Sequence, residues 1–190
     1  VYTRFEVDDR GDSFRIDIEA EHLDAASGVD FAWSGMIEGT TEGTIRYEME
    51  GSPRSAFLRN RIGFCVLHPS DLAGAPAWTD TPDGRVESFF PELISPHQPF
   101  IDMESITQSA GENTTAEIRF EGDLCEMEDQ RDGTVRAGHK GLDWSPGVGV
   151  APRSTTPAAQ RAMRPPAAET GGWVCVIRLR SSETACARWR

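Results

Sequence analysis

Lysine is almost missing from this 190-residue chain: Lys140 is the only one, and the rest of the 19 Lys and Arg are arginines. Positive charge is scarce altogether, with 19 Lys and Arg against 31 Asp and Glu and a net charge of −12. That balance excludes nucleic acid and anionic membrane surfaces as partners. No apolar run approaches the roughly 20 residues that a membrane-spanning helix needs. Cys65, Cys125, Cys175 and Cys186 show no CxxC spacing, which excludes a zinc ribbon and reads as reduced thiols in a cytoplasmic protein. The start, Val1-Tyr2-Thr3-Arg4-Phe5-Glu6, has neither an initiator Met nor a signal-peptide pattern, so an internal piece of a longer protein is expected. The chain also lacks a nucleophile elbow and a glycine-rich phosphate loop, and no Ser-His-Asp triad is legible.

What is present divides unevenly. Residues 1–130 hold nine Arg against 27 Asp and Glu, together with all nine Phe and both Tyr. Residues 131–190 hold ten Lys and Arg against four acids, and five Pro. The first part alternates. Phe14, Ile16, Ile18 and Ala20 are interleaved with Arg15, Asp17, Glu19 and Glu21. Ile45, Tyr47 and Met49, and later Ala116, Ile118 and Phe120, repeat the pattern. Period two is the mark of a half-buried strand. Phe31-Ala32-Trp33 and Met36-Ile37 predict another strand, and the apolar run Ile62–Leu67 predicts a central strand buried on both faces. Turn signals such as Asp9-Arg10-Gly11-Asp12 and Pro82-Asp83-Gly84 separate these runs. The expectation is an all-β fold: an antiparallel β-sandwich domain over residues 1–131, followed by an irregular or disordered tail over 132–190. Within the tail, Trp173–Ile177 can form a strand, but no partner for it is evident. Pro91, Pro96 and Pro99 predict an exposed loop without regular structure.

The densest chemistry lies in Gly122–Arg131, which follows a strand with four carboxylates, an amide and a guanidinium. On a continuing strand Glu126 and Glu128 point the same way. Two carboxylates on one face repel, and one can then serve as acid or base near neutral pH. With Asp129 they could instead hold a hard divalent cation, although nothing in the sequence requires a cofactor and no metal ligands are assigned. The plainer alternative is an acidic solvent face bridged to Arg119 or Arg131. His68, in Leu67-His68-Pro69, ends the apolar run and suits either a site or a hydrogen-bonded turn. His97 sits in the proline-rich loop, where binding a ligand or a neighbouring domain and mere packing are both open. Trp33 and Trp78 could stack on a sugar or belong to the core.

Three blocks together resemble the N-terminal region of the D-apionate lactonase family. They are Asn60–Pro69, Phe90–Asp102 and Glu121–Arg131, in the family's order and at similar spacing. The likeness ends after Arg131, and the Ala-, Arg- and Pro-rich stretch from Asp132 reads as a shifted reading frame or a divergent tail. The resemblance implies hydrolysis of a small sugar-acid lactone, D-apionolactone, to D-apionate by a longer protein that adds a barrel domain. It marks Glu126, Glu128, Asp129, Arg131 and His68 as candidate catalytic residues. His97, Gln98, Asp102 and Gln130 are then candidates for substrate binding or for packing against that missing C-terminal barrel domain. A fragment without the barrel is expected to be inactive. The competing expectation is a non-catalytic sandwich module for domain packing or carbohydrate binding.

Overall fold

A computed structural model describes residues 1–59, 62, 63, 65–95, 97–122, 124–129, 148–152, 161–163 and 171–181. Its strands are β1 (Tyr2–Asp9), β2 (Phe14–Asp24), β3 (Val29–Gly39), β4 (Thr44–Pro53), β5 (Phe57–Arg59), β6 (Val66–His68), β7 (Pro76–Thr81), β8 (Gly84–Phe89), β9 (Ser105–Ser109), β10 (Thr114–Glu121), β11 (Cys125–Asp129), β12 (Val148–Pro152), β13 (Arg161–Met163) and β14 (Gly171–Ser181). One turn of 3₁₀ helix, Ser70–Leu72, follows β6. No helix among the described residues is long and apolar enough to cross a membrane.

All strand pairs are antiparallel. Nine strands form one sheet in the order β1-β2-β3-β4-β14-β10-β9-β7-β8. A second sheet of three, β11-β12-β6, packs on it. β13 and β5 make a third, two-stranded sheet. The predicted alternation produces this layering directly. In register, Val7, Ile16, Ile37, Tyr47 and Cys175 lie side by side across five strands. The next row runs Phe14, Gly39, Ile45, Ile177, Ile118 and Ile106. These rows share one face; the intervening charged residues share the other. The first hairpin closes through Gly11, whose φ of 88° a side chain would resist and whose N–H bonds Asp9 Oδ1 at 2.9 Å.

The core lies where the three-stranded sheet covers the large one. Met103, Ile106 and Met127 are fully buried there, with Phe90, Phe100, Ile118, Cys125 and Cys175 around them. The polar face is laced along each strand. Arg4 pairs with Glu6, Arg15 with Asp17, Arg46 with Glu48 and Arg119 with Glu117, each two residues apart on the same side. Exposed pairs of this kind each add little stability.

Two local expectations change. The apolar run before His68 is not a central strand: among its described residues only those of Val66–His68 pair, at the edge of the small sheet, and Leu67 is exposed. Gly63, at φ 145°, lies in irregular backbone ahead of the strand. The segment around Trp173–Ile177 does have partners. It lies within β14, which is inserted between β4 and β10, with Tyr47 and Phe120 flanking Cys175. Its partners were invisible in sequence because they come from 44–51 and 114–121, far upstream.

Candidate functional site

The three motif blocks meet around the small sheet. β12 runs between β11 and β6, so Asp129 and His68 both sit opposite Val148, one on each side. Two strand spacings separate their backbones by about 10 Å. The second block and Met103, just after it, are tied to β11 at three points. Met127 N–H donates to Phe100 O at 2.9 Å, Met103 and Cys125 exchange backbone hydrogen bonds, and Asp129 Oδ2 accepts from Ser95 N–H at 3.0 Å. Strand parity explains the roles. Cys125 and Met127 face the core, and Asp129, next on that side, reaches the proline-rich loop. Glu126 and Glu128 point the other way, as expected; Glu126 is nonetheless buried and Glu128 half-buried. The same parity separates Asp129 from the two glutamates, so the three do not converge on one cation. Among the described residues no three His, Cys, Asp or Glu side chains are grouped to hold a metal ion.

His68 is 2% exposed. Its Nδ1 meets Gln108 Oε1 at 2.5 Å, a bond from the small sheet to the large one, and its ring packs on Phe90 with centroids 5.6 Å apart. Gln108 as acceptor places the proton on Nδ1 and leaves Nε2 a bare acceptor, with no hydrogen-bond partner among the described residues. Burial lowers the imidazole pKa below its ordinary value, and the Gln108 bond raises it by less. The ring is therefore neutral and shielded from solvent.

His97 and Gln98 are exposed in the loop, where the His97 carbonyl accepts the Ser95 hydroxyl at 2.7 Å. Asp102 is half-buried in the left-handed region, at φ 56°, where the loop turns towards β9. Gln130 and Arg131 lie outside the described residues. Gln108 and Ser95 escaped the sequence reading. For Gln108 a signal existed: it is an amide at an inward position of β9, in register with Ala77 and Ala116. Elsewhere, Trp33 Nε1–H donates to His22 Nε2 at 3.0 Å. Trp78 lies on the outward face of β7, opposite in parity to buried Ala77 and Thr79.

The family model for the N-terminal domain of D-apionate lactonase matches residues 1–135. This chain belongs to the D-apionate lactonase family. The D-apionate lactonase of Brucella anthropi is 43% identical over 97 residues, which make up 50% of this chain. The chain spans only 16% of that relative's length. Among solved structures, a GalM/aldose epimerase homologue from C. elegans superimposes with a TM-score of 0.53 at 9% identity, covering 93% of this chain and 68% of the other. Galactose 1-epimerase from Lactobacillus acidophilus gives 0.52 at 10% identity, covering 95% and 67%. Those two likenesses concern the fold alone: the lactonase domain has an aldose-epimerase-like β architecture.

Proposed function

We propose that this chain is the N-terminal sandwich domain of a sugar-acid lactone hydrolase that opens D-apionolactone to D-apionate in the cytoplasm. The observation that carries the reading is the family match over residues 1–135, which takes in all three motif blocks and the strands β6 and β11 that flank β12 in the small sheet. In the reaction water adds to the lactone carbonyl, the ring C–O bond breaks, and the ring oxygen leaves as a hydroxyl. This needs an activated water and donors for a tetrahedral oxyanion. Glu126 and Glu128 are the candidates for base. Arg131 and His97 are candidates for stabilising negative charge, with Gln98, Asp102 and Gln130 at the substrate or domain boundary. His68 acts from inside, as a positioning residue, by joining the two sheets through Gln108.

The remaining sequence of a full-length lactonase supplies the other catalytic groups, so the chain alone is inactive. The test is hydrolysis of an aldonolactone panel by this chain and by the Brucella anthropi enzyme, with and without divalent metal. Turnover by the isolated chain that disappears in folded Glu126→Gln and Glu128→Gln proteins would assign catalysis to this domain. The competing reading is a non-catalytic module for domain packing or sugar binding. It is favoured by the burial of Glu126 and His68, and it predicts that both variants behave as wild type in every assay.

A further inference from the structure

Among the described residues, the apolar face of the large sheet is covered over only part of its width. Met127, Cys125 and Val66 of the small sheet pack over β7, β9, β10 and β14. The same apolar rows continue across β4, β3 and β2 to the edge strand β1, where Phe5 is 59% and Val7 58% exposed. Phe5, Ile18, Gly35 and Met49 form one such row, and Val7, Ile16, Ile37 and Tyr47 the next. Neither row contains a charge. The opposite face of these strands carries Glu6, Asp17 and Glu48 with their arginines. Phe5 and Val7 are exposed and Ile16, Ile18, Ile37 and Met49 half-buried, so among the described residues the apolar face opens to solvent towards the edge strand.

We infer that this half-sheet is the docking face for a further β layer, apolar on its inner side and supplied by the same polypeptide in full-length lactonases. The inference rests on the reading of this chain as one domain of such an enzyme. Three observations select that occupant. The matched region is 16% of the Brucella anthropi lactonase, so most of that protein lies elsewhere. About a third of each epimerase-fold chain has no counterpart here, although nearly all of this chain is matched. The face is also continuous with the inner surface that the small sheet already packs on, so a second layer at sandwich spacing extends an existing interface.

The experiment compares two proteins. One is this chain; the other is a chimera in which residues 1–135 replace the whole N-terminal domain of the Brucella anthropi lactonase. Each carries Val7→Cys or, as polar-face control, Glu6→Cys, and maleimide labelling is read by peptide mass spectrometry. The expected result is labelling at position 7 at least about 10-fold slower in the chimera, with position 6 unchanged. Equal rates at position 7 in a chimera that hydrolyses lactone overturn the docking face and leave the functional reading standing. Protection at position 7 without hydrolysis supports the face and counts against the reading. The chain alone supplies a second test that does not depend on the chimera folding. It should be monomeric by light scattering and bind an apolar dye that Val7→Glu weakens. A dimer that Val7→Glu dissociates would make a second copy the occupant, and absence of dye binding would show the face closed; either overturns the proposal.

Discussion

Asp129 accepts a hydrogen bond from the backbone N–H of Ser95 at 3.0 Å, across 34 residues of sequence. The bond fastens the exposed proline-rich loop to the end of the acidic strand, and it joins two of the three blocks that mark the lactonase family. Hydrogen bonds to a charged acceptor contribute about 1.5–3 kcal/mol. Asp129→Ala should therefore lower the urea midpoint and speed hydrogen exchange at residues 92–98, while exchange in β2 and β3 stays unchanged.

His68 and Gln108 make a buried polar pair between sheets. His68→Ala leaves the Gln108 amide without that partner and should cost about 1–3 kcal/mol for its desolvation, beyond the lost packing on Phe90. Adding Gln108→Leu to His68→Leu removes both polar ends and should recover most of the loss. Chemical denaturation of the three proteins checks this.

The folded-state pKa of His68 lies below the ordinary 6.5. The unfolded chain therefore takes up a proton first as pH falls through about 6.5. Stability should fall from there until pH passes the folded value, and level off below it. The carboxylates of Glu6 and Asp17, lowered chiefly by hydrogen bonds from Arg4 and Arg15, act only in a more acidic window, as pH falls through their depressed values. Melting temperatures from pH 8 to 5 should show the first slope in wild type and lose it in the His68→Leu/Gln108→Leu protein.

Gly35 lies under the Trp33 indole. A Cβ there would sit 2.9 Å from Trp33 Cζ3 and 3.3 Å from the Glu48 carbonyl. Gly35→Ala should push the indole off the sheet and break its bond to His22, at about 1–3 kcal/mol. A shift in tryptophan emission at neutral pH, absent in Gly35→Ala/Trp33→Phe, reports it.

Cys65 is an exposed thiol, whereas Cys125 is 5% and Cys175 1% exposed. Burial pushes the Cys175 thiol up to about 12, which keeps it protonated and unreactive. Under native conditions a thiol reagent should modify Cys65 within minutes and reach Cys125 and Cys175 only on unfolding. Peptide mapping at timed intervals checks the order.

Much of the architecture was legible residue by residue. The alternation from Phe14 to Ala20 and from Ala116 to Phe120 named both the strands and their buried faces, because a two-residue period admits no other regular structure. Ile62–Leu67 misled because composition alone does not distinguish a central strand from a short edge strand after irregular backbone. The pairing of β14 was hidden for a different reason: register between distant segments leaves no local trace. At the site, Glu126 and Glu128 were correctly placed on one side of their strand. The burial of Glu126 and the embrace of His68 by Gln108 depend on how two sheets stack, which no spacing encodes.

The position of β14 also sets an order of assembly. β1 to β4 are consecutive antiparallel neighbours, and β7 to β10 form a second local group. Such near-in-sequence pairings close quickly, while distant ones wait on the loop entropy of the intervening chain. Within the nine-stranded sheet, as the described residues form it, the two groups are joined through a strand that ends at residue 181. During synthesis they emerge first, each with an open edge, and stay separate until that late strand leaves the ribosome and zips them together. The nine-stranded sheet is thus finished from its middle, and the unjoined edges are the species a chaperone would meet.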